Sequence, residues 1–235
     1  MLGKKGRKVL LLERNDVAGG CIRTEEITEP GFIHDVMATT FVLFTTSPAY
    51  GVLGADLARH GLEFANSEDP TGVLFPDGRS LVLSRDRAKN VEAFSRAHRD
   101  DGAAFAREMA RFGENAGFVF GLLGGRLWSL DMLKVVGKEA WKRGIKGLAA
   151  FFGEALVSAR SYLETRYKSE EVQGLFAPWV LHCGLNPDNT YSGEMLKVIG
   201  FAMEAAGAPI VKGGARNAVK AFEALIREQG GSIRT

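Results

Sequence analysis

Lys8-Val9-Leu10-Leu11-Leu12-Glu13 is an unbroken apolar run closed by an acid, and the loop Arg14-Asn15-Asp16-Val17-Ala18-Gly19-Gly20 follows it. Consecutive apolar residues bounded by charge are the pattern of a strand buried on both faces of a parallel sheet. Such a strand needs sheet neighbours. The residues ahead of it, Met1 to Arg7, are too few for a preceding strand and a crossover helix, which together need about a dozen residues. The sequence therefore predicts that the front of this domain lies outside the chain. Leu2 to Arg7 would then end a crossover helix, with Gly6 as its C-terminal stop.

Further along, Gly72-Val73-Leu74-Phe75 and Ser80-Leu81-Val82-Leu83 flank Pro76-Asp77-Gly78-Arg79. Asp-Gly between two apolar runs predicts a β-hairpin, because glycine takes the positive φ that a tight turn requires. From about Asp86 to Ala206 the pattern turns helical. Val91, Phe94, Ser95, His98, Phe105, Met109 and Phe112 recur at steps of three and four, and so do Leu148, Phe151, Phe152, Ala155 and Leu156. Near the end, Pro209 to Gly214 precedes an amphipathic helix on Val219, Phe222, Leu225 and Ile226. That helix stops at Gly230-Gly231 before Ser232-Ile233-Arg234-Thr235, which reads as a strand beginning. A domain would not normally close there, so continuation past Thr235 is expected too. No repeat, low-complexity tract or flexible linker interrupts the chain.

Composition narrows the function classes. With 46% apolar and 25% charged residues the 235-residue chain can bury a sizeable core. Its net charge is +2 with Lys and Arg scattered, which gives no electrostatic footprint for nucleic acid or for an acidic membrane. Peripheral contact with a bilayer stays open. Cys21 and Cys183 lie far apart with no CxxC or Cys/His spacing, so neither a disulfide framework nor a zinc site is expected, and no metal. No apolar run approaches the roughly 18 to 20 residues that span a bilayer. The short run Val9 to Leu12 is no signal-peptide core, so a reducing, cytoplasmic setting is expected.

In a dinucleotide-binding fold, an acid at the end of the second strand accepts hydrogen bonds from the adenosine ribose, about 20 residues after a glycine-rich turn that cradles the pyrophosphate. Glu13 occupies that acid's place, and the turn itself cannot fit in the residues before it. The run from Gly6 to Asp16, with Gly19-Gly20 and Thr24, resembles the second-strand region of FAD-dependent oxidoreductases of the phytoene dehydrogenase and amine oxidase group. Glu29-Pro30-Gly31-Phe32-Ile33-His34-Asp35 is similar to the phytoene dehydrogenase-like branch. Lys212-Gly213-Gly214 with its helix, and Gly230-Gly231-Ser232-Ile233, resemble that group's later glycine pair, helix and strand.

The resemblance implies a fold and a site. The fold is α/β, a partial Rossmann-like FAD-binding domain (1–69 and 207–235) into which a mostly helical substrate or cap domain (70–206) is inserted. Glu13 would bind the ribose with Arg14 beside it, and the main chain at Gly19-Gly20 would lie close to the FAD because no side chain intervenes. Cys21 stands where many relatives carry arginine, with Arg23 two places on. Thr24 would sit at the flavin side of the loop, Gly213-Gly214 would complete the cofactor-binding set, and Met37 to Thr40 would run near the isoalloxazine ring. The implied chemistry is hydride transfer from a hydrophobic, isoprenoid-like small molecule to flavin N5, with the cofactor supplying the redox step. No catalytic residue is assigned. Without the pyrophosphate turn, flavin binding by this chain is expected to be weak or absent.

Plainer readings compete at several positions. Gly213-Gly214 is balanced between a cofactor contact and a simple turn before a helix. Cys21 has no resolving partner and reads as a small side chain in a tight loop. His34, His60, His98 and His182 form no ligand or triad spacing. Phe118, Phe120, Trp128, Trp141, Phe151, Phe152 and Trp179 are read as helix packing ahead of an apolar substrate tunnel. Two rivals to an enzyme remain on sequence grounds: a non-catalytic binding protein on the same scaffold, as in the Rab GDP-dissociation inhibitors, and a fragment completed by another polypeptide. The oligomeric state is left open.

Overall fold

A computed structural model describes residues 1–235. In chain order the first elements are β1 (Leu10–Leu12), β2 (Thr24–Glu25), β3 (His34–Asp35), α1 (Val42–Thr45), α2 (Pro48–Arg59), β4 (Phe64–Ala65), β5 (Thr71–Leu74) and β6 (Ser80–Leu83). The helices α3 (Arg87–Ala97), α4 (Asp101–Gly124), α5 (Leu130–Ala155), α6 (Ala159–Arg166), α7 (Glu170–Phe176) and α8 (Ser192–Ala206) come next. β7 (Ile210–Val211), α9 (Arg216–Glu228) and β8 (Ser232–Arg234) close the chain. It divides into two compact units, Met1–Ser67 with Ala206–Thr235, and Glu68–Ala205.

In the first unit β1 and β8 pair in parallel, with Leu10 opposite Ser232 and Leu12 opposite Arg234. β2 and β3 form one antiparallel pair, and β4 and β7 another. Helix α2 begins at Ser47, whose hydroxyl accepts the Tyr50 N–H at 3.2 Å, with Pro48 in the first turn where a missing N–H costs nothing. Leu53 and Leu57 of α2 meet Ala218, Ala221 and Leu225 of α9 over Leu62 and Val211, forming the core of this unit. α9 ends before Gly230, which takes φ 73°. A short 3₁₀ turn, Gly3–Lys5, is stopped by Gly6 at φ 70°. Lys4 ties that turn to α2 through its ion pair with Asp56 at 2.5 Å and its hydrogen bond to the Val52 carbonyl. The Lys4 hydrogen bond, then that of Arg59, holds the Asp56 carboxyl down at about 2.

One expectation is corrected in this unit. Read as a strand buried on both faces, β1 instead leaves Leu10, Leu11 and Leu12 exposed at 52%, 37% and 69%. The cause is its neighbourhood, since the sheet it belongs to has two strands, β1 and β8.

The second unit opens with the β5–β6 hairpin, in which Gly78 takes φ 88° and the Phe75 N–H donates to the Arg79 carbonyl at 2.8 Å. Leu81 and Leu83 alternate inward onto Phe94 of α3, Phe105 of α4 and Leu175 and Phe176 of α7. Asp86 caps α3 by accepting the Ala88 N–H. Asp101 is fully buried, and its carboxylate accepts the Lys168 N–H, the Ser169 N–H and the Ser169 hydroxyl at 2.5–2.9 Å, fixing the start of α7. α5 breaks at Gly144, where φ 70° and ψ 165° leave the helical region. No helix is long and apolar enough to cross a membrane. Of the aromatic residues read as helix packing, Phe118 is buried, whereas Trp128 and Trp141 stand out at 98% and 93% exposure.

Two outcomes follow from this core. Phe94→Ala, which empties a fully buried aromatic site, is expected to cost about 3–5 kcal/mol, whereas Leu12→Ser on the exposed strand stays within about 0.5 kcal/mol; urea unfolding followed by circular dichroism separates the two. Burial pushes the Tyr162 and Tyr167 phenols well above their ordinary value of 10.0. A phenol raised in this way stabilises the fold below its unfolded pKa, and that stability is lost as pH climbs toward the folded value. Spectrophotometric titration should show Tyr162 and Tyr167 silent until the protein unfolds in alkali.

Candidate functional site

The loop after β1 starts at Glu13, whose N–H donates to the Arg234 carbonyl at 2.9 Å and so continues the β1–β8 ladder by one residue. Its carboxylate turns back over the loop, where Oε1 accepts the Asn15 N–H at 2.8 Å and the Asn15 side-chain amide at 2.9 Å. Arg14 is exposed beside it. An ionised carboxylate offers about four lone-pair sites. Glu13 thus keeps acceptor capacity while Asn15 fixes its orientation.

Gly19 and Gly20 follow at φ 127° and φ 59°. A Cβ on Gly19 would lie 2.8 Å from Val219 Cγ2 and 3.0 Å from the Ile22 carbonyl oxygen, so glycine is what lets the loop seat against α9. A Cβ on Gly20 would meet nothing. Gly20 instead lines an open cleft of about 340 Å³ with Cys21, Arg23, Glu25, Val36 and Met37. Arg23 and Glu25 form an ion pair at its edge, and Cys21 is exposed there.

Thr24 lies at the other end of the loop and is buried. Its hydroxyl donates to Asp35 Oδ1 at 2.6 Å and accepts the Arg216 N–H at 2.9 Å. Asp35 Oδ1 also accepts the Ala215 N–H at 2.8 Å. The β2–β3 pair therefore presents a hydroxyl and a carboxylate to the first N–H groups of α9, where a negative charge is favoured by the helix dipole. Gly213 and Gly214 make the turn into α9 at φ 74° and φ 97°. A Cβ on Gly214 would sit 2.6 Å from Thr24 Cγ2, so the contact needs glycine.

The fold thus brings Thr24, Gly213 and Gly214 together at the α9 N-terminus and seats Gly19 on the same helix. Gly20 and Cys21 lie on the cleft, and Glu13 and Arg14 stand at the end of β1. Asp35 belongs to this arrangement although its sequence context does not single it out. Its signal is faint, a carboxylate placed opposite a threonine in a two-residue strand. Met37, read as approaching the flavin ring, lines the cleft.

Residues 1–58, which contain β1, the glycine loop and most of α2, match the family described as the NAD(P)-binding Rossmann-like domain. The match covers 58 of the 235 residues. Over 104 residues, 44% of the chain, the sequence is 32% identical to one of the limonene dehydrogenase subunits of Castellaniella defragrans. That match spans 18% of the length of the relative. Open α/β sheets place nucleotides at the carboxyl ends of their parallel strands, and Glu13 stands at the carboxyl end of β1.

The Thr24–Asp35 lock is open to a direct test. Thr24→Val and Asp35→Ala are each expected to destabilise the protein by about 1–2 kcal/mol through loss of the cap. Because both act on the same helix end, the double variant should fall short of their sum by at least about 0.5 kcal/mol in a double-mutant cycle. Additive effects would separate the two residues.

Proposed function

We propose that this chain carries the adenosine-side part of an FAD site in an oxidoreductase that takes hydride from a hydrophobic, isoprenoid-like substrate. The observation that carries the reading is Glu13 at the carboxyl end of a strand in a parallel pair, followed by two glycines at positive φ. The Rossmann-like match over residues 1–58 supports the nucleotide, and the similarity to a protein named for dehydrogenating limonene, an apolar terpene, supports the reaction and the substrate class.

The residues fit an adenosine nucleotide. Glu13, held by Asn15, accepts hydrogen bonds from the ribose hydroxyls, and Arg14 beside it adds positive charge for phosphate. Gly20 keeps one side of the cleft clear, so main chain and ligand can approach without a side chain between them. Cys21 and Arg23 line the same cleft, where arginine supplies the positive charge that Cys21 does not. Thr24, with both hydroxyl roles already taken, positions the loop on α9 together with Gly213 and Gly214. When bound, the flavin supplies the hydride acceptor. The chain's own part is to orient the adenosine end, and the helical unit Glu68–Ala205 takes the role of substrate domain.

The test is a fluorescence titration of the whole chain with FAD, FMN and NAD. Binding is expected to be weak, because no G-x-G-x-x-G turn stands in the sequence, but to favour FAD over FMN, which lacks the adenosine. Glu13→Ala should cut FAD affinity by roughly tenfold and leave FMN unchanged. Equal affinity for FMN and FAD would remove Glu13 from the site, and a preference for NAD over FAD would replace the flavin assignment.

A further inference from the structure

The outward side of α5 differs from the rest of the surface. Trp128 in the preceding loop is 98% exposed, and on the helix Trp141, Ile145, Leu130 and Leu133 are 93%, 84%, 77% and 68% exposed. Leu133, Gly137 and Trp141 follow each other at steps of four, which stacks them in one ridge along a helix. Lys134 and Lys138 form the adjacent ridge, both exposed, whereas Lys142 lines the cavity of about 410 Å³ shared with α4. Exposed Ile145 and Lys146 follow the break at Gly144. The opposite side of the helix carries buried Met132 and the half-buried Glu139–Arg143 ion pair, whose guanidinium lies 5.2 Å from the centre of the Phe151 ring.

Charge decides what such a face can meet. Between Gly125 and Gly147 stand six basic residues and two acidic ones, a local excess of four positive charges on a chain whose net charge is +2. Lysine is depleted from the buried centres of protein–protein interfaces, so a lysine ridge beside an apolar ridge suits a protein partner poorly. It suits the boundary of a lipid bilayer, where tryptophan sits at headgroup depth and lysine reaches the phosphates while its stem lies on apolar surface. Since no helix can cross a membrane, the contact is with the surface.

We propose that the outward face of α5, with Trp128 beside it, docks this protein on the surface of an anionic phospholipid bilayer. Trp128 and Trp141 enter the interfacial layer, and Lys134 and Lys138 face the lipid phosphates. This inference stands independently of the flavin reading.

Vesicle flotation of the whole chain tests it, using phosphatidylcholine alone and phosphatidylcholine mixed with phosphatidylglycerol. Binding is expected to the mixed vesicles, to weaken as salt screens the lysines, and to be slight with phosphatidylcholine alone. Tryptophan emission should shift to the blue and be quenched by brominated lipid. Trp128→Ser with Trp141→Ser should lower partitioning by about tenfold or more. Lys134→Gln with Lys138→Gln should lower it roughly fivefold per lysine. All four side chains are exposed, so an unchanged circular dichroism spectrum is expected of both variants and confirms that folding is not the cause. Failure to float with the mixed vesicles overturns the proposal, as does flotation that neither pair of substitutions reduces. A dimer in light scattering that the tryptophan substitutions dissolve, without vesicle binding, would assign the face to a second copy instead.

Discussion

Parallel pairing of Leu10–Leu12 with Ser232–Arg234 is the constraint on which the rest of the first unit depends. Parallel neighbours cannot be joined by a tight turn, so the chain has to leave the end of β1 and return to the start of β8 at the opposite end of the pair. α9 makes the last stage of that return, seated by Ala218, Ala221 and Leu225 against α2. What lies between is free to be long, because each doubling of a loop adds only about 0.6 kcal/mol of closure entropy. A unit that brings its own core adds less still to the disorder that must be lost. The main apolar cluster of Glu68–Ala205, built around Phe94, Phe105, Phe176 and Met203, draws only on that unit.

The return of α9 would have no fixed register without the contact at its N-terminus. Thr24 and Asp35 precede α9 by about 180 residues or more in sequence and still supply its first hydrogen-bond acceptors. The two sides can come this close only because Gly214 has no Cβ. On the same helix Val219 presses on Gly19, which carries the constraint back into the glycine loop and so to the end of β1. The loop after Glu13 is thereby held at two points on one helix, leaving Gly20 and Cys21 between them to face the cleft.

Much of this was legible in the residues. The Asp77-Gly78 hairpin, the helix on Val219, Phe222, Leu225 and Ile226, and the strand starting at Ser232 all stand where turn chemistry and periodicity place them. These features are local, decided by residues within a few positions of each other. The features that were not legible depend on what arrives from elsewhere. Leu10 to Leu12 have the composition of a covered strand, and their exposure follows from a sheet of two strands, which their own composition does not report. Asp35 and Asp101 look like surface carboxylates until the segments that donate to them, at Ala215 and at Lys168–Ser169, fold over them. Distant partners of this kind leave no spacing to read.

The α4–α5 hairpin shows the same limit from the opposite direction. Apolar spacing of three and four identifies residues that share one side of a helix, but it does not say what covers that side. On α5 the side turned toward α4 holds an Arg–Glu pair stacked on phenylalanine rings, and the side turned to solvent holds tryptophan, isoleucine and leucine. Guanidinium over an aromatic face is one of the few ways to bury charge without a full desolvation penalty, because the ring quadrupole attracts the cation. That contact frees the outward ridge from any packing duty toward α4. Lys134 and Lys138 become neighbours on that side because their interval is four, close to the 3.6-residue turn. The charge distribution of this chain is therefore decided by helical register, and a net value of +2 conceals a surface with one strongly basic, apolar-edged side.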